Sequence, residues 1–257
     1  MTYDLLLKEE ISLKDYNIIL LDEIDSTNNY LKSLARDGES AGTVVIADRQ
    51  TGGRGRFNRR FYSPEGCGIY MSILLKPDLA PENAVLITSA AAVAVSRAVE
   101  LLTGSETRIK WVNDVLKDGK KICGILTEGA INPETGRFSW AVLGIGINAY
   151  SPEKGFDKEI ENIAGAVFGQ RENGLRNRLA SEILNQFSML YEGLEKRTFL
   201  EDYRSRSCVT GKKISVVKDD KLISATALEI DEECRLLVEY ENGEKEFLNS
   251  GEISIKI

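Results

Sequence analysis

Residues 107–148 read TRIKWVNDVLKDGKKICGILTEGAINPETGRFSWAVLGIGIN, and this stretch decides the fold. It holds three apolar runs of strand length, at residues 107–111, 122–128 and 138–147. The middle run is nearly continuous in apolar residues, which is typical of a strand with neighbours on both sides. We therefore predict a sheet with residues 122–128 at its centre.

Upstream of this stretch, strand patterns alternate with helix patterns. Apolar runs predict three more strands, at residues 17–21, 43–47 and 68–75. Residues 25–28, Asp-Ser-Thr-Asn, are good N-cap residues ahead of apolar positions with helical spacing, so a helix is predicted between the first two strands. A longer helix is predicted from Pro81 to Leu102, with Gly104 just beyond its end.

Downstream, one helix is followed by a change of character. Large apolar residues lie on one face of a helix predicted at residues 175–194. From residue 212 onward, short β-rich runs alternate with turns such as Asn242-Gly243, which predicts a small barrel of about five strands. We place a domain boundary near residue 207, giving a domain of residues 1–207 and a barrel of residues 208–257. The predicted fold class is α+β.

Composition excludes several classes of function. The 257 residues include 33 basic and 40 acidic side chains, for a net charge of −7. This charge does not favour a protein that binds duplex DNA. The chain has no histidine, which excludes Ser-His-Asp catalysis, Cys-His catalysis and imidazole metal ligands. Any chemistry must use lysine, arginine, carboxylates and amides, with or without a metal such as Mg²⁺.

The cysteine pattern favours a reducing cytoplasm, and the hydropathy pattern favours neither a signal peptide nor a membrane span. Cys67, Cys123, Cys208 and Cys234 form no CxxC pair, so the sequence indicates neither a zinc site nor a redox motif. The N-terminal residues lack a basic region followed by an apolar run, so we expect no signal peptide. The apolar residues 84–102 are interrupted by polar and charged side chains, as in a buried helix rather than a membrane span.

Residues 50–61, QTGGRGRFNRRF, are the most informative segment for function, and we call them the Gly-Arg loop. Their three glycines allow unusual dihedral angles and close approach to a ligand. Successive backbone N–H groups in such a loop can form an anion-binding nest. The four arginines add planar forks that match phosphate or carboxylate oxygens. The loop predicts an anion site, and the alternatives are a flexible solvated loop or a nucleic-acid patch.

The Gly-Arg loop resembles a motif of biotin protein ligases, GRGRxxRxW, which follows a strand and a glutamine. The chain has Gln50, then Gly53-Arg54-Gly55-Arg56, Arg59, and Phe61 where tryptophan is usual. Phe61 keeps an aromatic ring but lacks the indole donor. In that family the loop closes over biotin and the activated adenylate.

Other segments resemble the same family, in the same order along residues 17–150. Ser26-Thr27-Asn28 resembles its biotin-binding SxN element, although alone it reads as an ordinary N-cap. KWVND at residues 110–114 and KICGIL at residues 121–126 resemble KWPND and K-[LIV]-[AC]-G-I-L, with Val112 in place of proline. GIGIN at residues 144–148 resembles a GxGxN strand end, whose glycines we expect to leave room for a ligand.

The resemblance implies a fold and a reaction. The fold is a mixed-sheet catalytic domain of the biotin/lipoate ligase type with an SH3-like C-terminal barrel. The reaction activates biotin with ATP to biotinyl-5′-AMP and transfers biotin to a lysine of the biotin carboxyl carrier protein of a biotin-dependent carboxylase. ATP, Mg²⁺ and biotin are the expected ligands, and a homodimer is possible.

The resemblance also implies roles for individual residues. The expected catalytic residues are Lys121, Arg56, Lys110 and Asp114, with Asp114 orienting or deprotonating the incoming lysine amine. The expected biotin-binding residues are Ser26, Thr27, Asn28, Gln50, Arg54, Gly55, Arg56, Lys121 and Gly124. The expected ATP-binding residues are Arg54, Arg56, Arg59, Phe61, Asn113 and Asn148. Metal ligands stay unassigned.

Three alternatives stay open at the level of the sequence. A lipoate ligase shares the architecture but characteristically uses a histidine-bearing motif, which this chain lacks. A DNA-binding repressor of this type needs an N-terminal winged helix, and only about 16 residues precede the first predicted strand. A biotin-binding module without activity would not need both lysines, Asp114 and the loop arginines.

Overall fold

A seven-stranded mixed sheet forms the larger part of the fold in the computed structural model, which describes residues 4–11, 13, 15–218, 221–249 and 252–255. Its strands are β1 (Asn17–Ile24), β2 (Thr43–Gln50), β3 (Gly68–Leu75), β4 (Thr107–Lys110), β5 (Asp114–Lys117), β6 (Lys120–Ile131) and β7 (Phe138–Asn148). Their spatial order is β1-β2-β3-β7-β6-β5-β4. β1 and β2 are parallel, and the other neighbouring pairs are antiparallel. The expected mixed sheet is confirmed.

The order of the strands corrects one prediction. β6 has neighbours on both sides, but β7 is the middle strand, so residues 122–128 lie one strand away from the centre. The sequence analysis also missed β5, which has four residues and shows too short a pattern to recognise. Asp118 and Gly119, both with positive φ, turn the chain from β5 into β6, as Asp-Gly does in tight hairpins.

After the short helix α1 (Lys8–Ile11), the longer helices cover the two faces of this sheet unequally. α2 (Thr27–Arg36) forms the crossover between β1 and β2 and packs Leu31 and Ala35 on one face. α3 (Ala84–Thr103) and α4 (Leu175–Glu192) pack on the opposite face. α2 is short, so part of its face of the sheet stays open beside the N-terminus of this helix. That opening holds the cavity described below.

α3 is the core helix of the fold. With the 3₁₀ turn Pro81–Asn83 before it, the helix is long and apolar enough to span a membrane by composition alone. In the structure 78% of its most apolar window is buried inside the protein. Its hydrophobicity is therefore used in packing, as predicted, and Gly104 ends it in the left-handed conformation.

The C-terminal residues form a second, smaller sheet. After α5 (Leu200–Ser205), strands β8 (Lys213–Lys218), β9 (Lys221–Ile230), β10 (Leu236–Tyr240), β11 (Lys245–Leu248) and β12 (Glu252–Ile255) pair in the order β11-β10-β9-β8-β12. All pairs are antiparallel, which confirms the predicted five strands. The hydrophobic core is continuous between the two sheets, so the boundary near residue 207 stays a prediction.

A buried ion cluster holds both ends of the Gly-Arg loop. Arg176 on α4 is 1% exposed and forms ion pairs with Asp4 and with Asp48 near the end of β2. Asp48 also accepts the backbone N–H of Gly66 at 3.2 Å, and Arg176 donates to the carbonyl of Gly68 at 3.0 Å. The stems of the loop are therefore fixed to the core.

Candidate active site

A cavity of about 260 Å³ lies on the open face of the sheet, beside the N-terminus of α2. The residues predicted from the sequence all line it: Ser26, Thr27, Asn28, Gln50, Arg54, Gly55, Arg56, Arg59, Phe61, Lys110, Asn113, Asp114, Lys121, Gly124 and Asn148. They come from the five segments that carry the motifs. The fold therefore gathers the predicted residues around one cavity.

One end of the cavity is lined mainly by neutral polar side chains, with the charged Arg54 beside them. The backbone N–H and the hydroxyl of Thr27 lie 2.9 and 3.1 Å from Oε1 of Gln50. Ser26 is the N-cap residue of α2, yet its side chain makes no capping hydrogen bond. An ordinary cap would bond to the first turn of the helix. The Ser26 hydroxyl is instead buried on the cavity wall, where a ligand can bind it.

Ser72 on β3 was missed by the sequence analysis. Its hydroxyl lies 2.8 Å from the hydroxyl of Thr27 and 2.6 Å from Oδ1 of Asn28. It therefore ties the N-terminus of α2 to the sheet. Ser72 sits in an apolar strand with no motif around it, and its contacts depend on the register between elements distant in sequence.

The glycines of β7 allow two side chains to approach the sheet. A Cβ atom at Gly144 would lie 2.2 Å from Oδ1 of Asn28, and one at Gly146 would lie 2.7 Å from the Phe61 ring. Both glycines and both side chains line the cavity. The Phe61 ring also packs near Gly124, and it meets Tyr70 edge to face at 6.4 Å.

The Gly-Arg loop forms a hairpin held by hydrogen bonds, which differs from the flexible solvated loop considered as an alternative. Gln50 donates its side-chain N–H to the Ser63 hydroxyl at 3.0 Å, and the Phe61 N–H donates to the Gly53 carbonyl at 3.0 Å. At Gly53 a Cβ atom would lie 2.5 Å from the Phe61 carbonyl, so only glycine fits this rung. At the tip, Phe57 has a φ of 54° and is 60% exposed.

Two loop arginines point to opposite ends of the cavity. Arg56 donates to Oδ1 of Asn113 at 3.2 Å. Arg54 instead lies 3.3 Å from Glu128 and donates to Asn29 at 3.0 Å. Glu128 is seven residues beyond Lys121 on β6, roughly 20 Å along the strand. Arg54 and Lys121 therefore line different ends of the same cavity.

The cationic end of the cavity is built on the β4–β5–β6 hairpins. Nζ of Lys121 lies 2.5 Å from Oδ1 of Asp114. Asn113 donates its side-chain N–H to the Ile125 carbonyl at 2.9 Å, which leaves its oxygen for Arg56. Lys110 is opposite Asp114 in the β4–β5 pairing and also lines the cavity. The peptide bond between Trp111 and Val112 is cis.

Asn148 holds a neighbouring segment of the chain. Its side-chain N–H donates to the Gly165 carbonyl at 3.0 Å, and Lys121 exchanges backbone hydrogen bonds with Ile163 and Gly165. Ile160, Ile163 and Ala164 of this segment line the cavity. This segment carries no motif, so its place in the site could not be predicted from the sequence. The amide nitrogen of Asn148 is thus used inside the protein, and its oxygen is the group left for a ligand.

The C-terminal sheet contributes to the same site. Ile253 of β12 lines the cavity. The indole N–H of Trp111 donates to the carbonyl of Cys234 at 2.9 Å, and the Tyr203 hydroxyl donates to the carbonyl of Val112 at 3.1 Å. The turn that carries Asn113 is therefore fixed from the C-terminal side of the chain.

Titratable groups around the cavity follow their surroundings. Burial alone would raise the pKa of Glu128, but hydrogen bonds from Asn28 and Lys32 and the charges of Lys32 and Arg54 lower it below its usual value. Burial raises the pKa of the Cys123 thiol, and it raises that of Cys234 to about 12. All four cysteines are unpaired thiols, as predicted. Among the described residues, no group of three or more metal-binding side chains is present.

Comparison with known proteins gives a consistent result. The model of the biotin/lipoate A/B protein ligase family matches residues 20–148, and that of the biotin protein ligase C-terminal domain matches residues 209–256. A bifunctional ligase/repressor BirA from Bacillus spizizenii is 42% identical over 151 residues, which cover 59% of this chain and 46% of that protein. The chain thus spans less than half the length of this relative.

Two other relatives match over more of their length. A biotin–[acetyl-CoA-carboxylase] ligase from Mycobacterium tuberculosis is 30% identical, over 83% of this chain and 80% of that protein. The structure of a biotin protein ligase from Aquifex aeolicus in complex with biotin and ATP is 29% identical, with a TM-score of 0.77 over 93% of this chain and 98% of that one. By its sequence motifs, its fold and these matches, the chain belongs to the biotin/lipoate A/B protein ligase family.

Proposed function

We propose that this protein is a biotin protein ligase, an ATP-dependent, AMP-forming enzyme. It activates biotin to biotinyl-5′-AMP and transfers the biotinyl group to a specific lysine of a biotin carboxyl carrier protein. The observation that carries the proposal is a single cavity with two different ends. The end at Ser26, Thr27 and Gln50 offers neutral hydrogen bonds, and the end at Arg56, Lys110 and Lys121 offers positive charge.

These two ends suit the two parts of biotin. The ureido ring is polar and uncharged, so neutral donors and acceptors can bind it without the cost of burying a charge. We assign Ser26, Thr27, Asn28 and Gln50 to this ring, with Gly55 and Gly124 allowing close approach. The valerate carboxylate then extends toward the cationic end. The relative from Aquifex aeolicus, solved with biotin and ATP, supports a cavity for both substrates.

In the first step, a biotin carboxylate oxygen attacks the α-phosphorus of ATP. The bond from that phosphorus to the bridging oxygen breaks, and pyrophosphate leaves with the bonding electrons. Both reactants are anions, so the protein must cancel their repulsion and align them. We assign this role to Arg56, Lys110 and Lys121, and we assign the nucleotide to Arg59, Phe61, Asn113 and Asn148. Each charge-assisted contact contributes about 1.5–3 kcal/mol.

In the second step, the neutral amine of the carrier lysine attacks the acyl carbon. The carbon–oxygen bond to the phosphate breaks, AMP leaves, and the amine loses a proton. Asp114 is our candidate for orienting the amine and accepting that proton. It lines the cavity beside Lys121. No nucleophile from the protein is needed, which agrees with a chain that has no histidine.

Mg²⁺ fits this site as a companion of ATP. Asp114 is the acidic residue that lines the cavity among the described residues, so we expect the ion to be held mainly by phosphate oxygens. When bound, Mg²⁺ would neutralise charge on the departing pyrophosphate.

The proposal also covers the domains, the acceptor protein and the binding partners. The domains are residues 1–207 and 208–257, and the smaller one closes the nucleotide site or docks the carrier. The acceptor is the carrier protein of a biotin-dependent carboxylase in the cytoplasm. We also propose that a homodimer is possible and that the protein binds neither DNA nor membranes specifically. A footprint on operator-like duplex DNA that resists salt would contradict the last point, because the net charge of −7 offers little counterion release.

A lipoate-type ligase is the alternative within the same family. The deciding experiment is ATP–pyrophosphate exchange with biotin, lipoate or octanoate as the acid. We expect exchange with biotin and none with lipoate, because the polar end is built for an uncharged ring with several hydrogen-bonding groups. Equal exchange rates with biotin and lipoate would contradict the assignment.

A further inference from the structure

Glu128 on β6 is a partly buried carboxylate that our account of the reaction does not use. Its Oε2 accepts the side-chain N–H of Asn28 at 3.0 Å. Its Oε1 lies 2.9 Å from Nζ of Lys32 and 3.3 Å from the guanidinium of Arg54. The two oxygens therefore face two structures, the first turns of α2 and the Gly-Arg loop.

Among the described residues, Arg54 links the loop to the wall across the cavity from Arg56. Its guanidinium reaches Glu128 on the sheet and Asn29 on α2. At its start the loop also bonds to the turn before α2, where the Gly52 N–H donates to the Asp25 carbonyl at 2.8 Å. Further along the loop, the Arg54 side chain holds it against the sheet and α2 at this end of the cavity.

The charge on Glu128 also keeps two cations together. Lys32 and Arg54 bind the same oxygen, so without the carboxylate they would repel each other. The hydrogen bonds from Asn28 and Lys32 favour the charged form of Glu128. A neutral side chain of the same shape would keep the bond to Asn28 and lose the attraction to the loop.

We propose that Glu128 is a positioning residue that holds the Gly-Arg loop closed through Arg54. Arg54 acts as the anchor of the loop rather than as a ligand of the α-phosphate. Because Glu128 also binds Asn28, the same carboxylate sets the position of the loop and of the polar end of the cavity. The consequence for biotin adenylate rests on the proposed function, whereas the anchoring of the loop does not.

The test measures opening of the loop without any substrate. Phe57 is exposed at the tip, so chymotrypsin cleaves after it when the loop opens. Glu128→Gln and Arg54→Gln should each raise the initial rate of this cleavage, by roughly two- to fivefold for partly exposed ion pairs. The matched control is Glu23→Gln, which removes the Glu23–Arg49 pair at 2.8 Å outside the cavity and should leave the rate unchanged.

The double variant tests whether the effects of Glu128 and Arg54 on loop opening are coupled. If Glu128 works through Arg54, Arg54→Gln with Glu128→Gln should be cleaved no faster than Arg54→Gln alone. Additive effects, or an Arg54→Gln variant cleaved at the wild-type rate, would overturn the proposal. Arg54 is exposed enough that its replacement should leave the fold intact, so this variant is informative even where Glu128→Gln unfolds.

A second readout addresses the enzyme. Both single variants should release preformed biotin adenylate faster than wild type, by the same factor as the rise in cleavage. Faster cleavage with unchanged release would overturn the coupling of the anchor to the adenylate. If the chain uses another substrate, the protease result still stands, so failure of the anchor and failure of the proposed function are distinguishable.

Discussion

Nζ of Lys121 lies 2.5 Å from Oδ1 of Asp114, on two strands that neighbour each other in the sheet. The lysine expected to bind the reacting anions is therefore held by a carboxylate in the protein itself. An anion that binds Lys121 must compete with Asp114 for this lysine, and on the proposed function the displaced Asp114 would be available to the attacking amine. This relationship makes the roles of the two residues separable by experiment.

Lys121→Gln should lower the rate of biotin-dependent ATP–pyrophosphate exchange. The change removes one charge-assisted contact of about 1.5–3 kcal/mol, which corresponds to a loss of roughly ten- to hundredfold. The control is Lys117→Gln on the same hairpin, whose ammonium lies 3.5 Å from Asp118 and away from the cavity. If both variants exchange at the wild-type rate, Lys121 does not bind the reacting anions.

Asp114→Asn should impair transfer more than activation. Asparagine can still accept a hydrogen bond, but it cannot take a proton from the attacking amine. The measurement compares exchange with single-turnover transfer from preformed adenylate to the carrier. Equal losses in the two assays would show that Asp114 acts by holding Lys121 in place.

Arg56→Gly should release biotin adenylate from the active site. Arg56 lies at the tip of the loop and donates to the neutral Asn113, a partner that phosphate oxygens can replace. Losing this contact should weaken the binding of the adenylate by about 1.5–3 kcal/mol, so that the adenylate dissociates roughly ten- to hundredfold faster. We expect the variant to biotinylate bystander proteins such as serum albumin. A variant that still makes adenylate but labels albumin no more than wild type would exclude this role.

Deleting residues 208–257 should impair ligation more than biotin binding. Ile253 lines the cavity and the Cys234 carbonyl accepts from Trp111, whereas the polar end of the cavity is formed by the larger sheet. Transfer rate and biotin affinity of the truncated chain give the comparison. Because the deletion also exposes core residues, Trp111→Phe is the milder variant. It leaves a buried carbonyl unpaired, at a cost of about 1–3 kcal/mol in the free energy of unfolding.

Glu100 on α3 should contribute to stability in a pH-dependent way. Burial alone would raise its pKa, but hydrogen bonds from Thr107 and Arg206 lower it below the ordinary value of 4.5. A lowered pKa in the folded state gives stability that is present above the ordinary value and is lost as the pH falls through the folded one. In urea unfolding across this pH range, the free energy of unfolding should fall less with acid for Glu100→Gln than for wild type. Parallel curves would contradict the prediction.

The limits of the sequence are clearest at individual elements. β3 has the bounds that its apolar run predicts, whereas β1 and β2 each continue three residues further. Those extra residues include Asp22, Glu23, Asp48 and Arg49, polar positions that end an apolar run without ending the strand. Hydrogen bonding between strands, which the local pattern does not contain, decides where they stop.

The sequence alone was enough to predict the family, the mixed sheet with a small C-terminal sheet, and a group of site residues that all line the cavity. The motifs made this possible, because they place glycines, lysines and arginines at the ends of strands, and strand ends meet at an edge of the sheet. Only the tertiary structure decided which partners these residues take. Ser72 meets Asn28 across 44 residues, and Asn28 meets Glu128 across 100. Arg54 and Arg56 are two positions apart yet point to opposite ends of the cavity. Such pairings depend on the register of the strands and the path of the loop, which form only when distant segments pack.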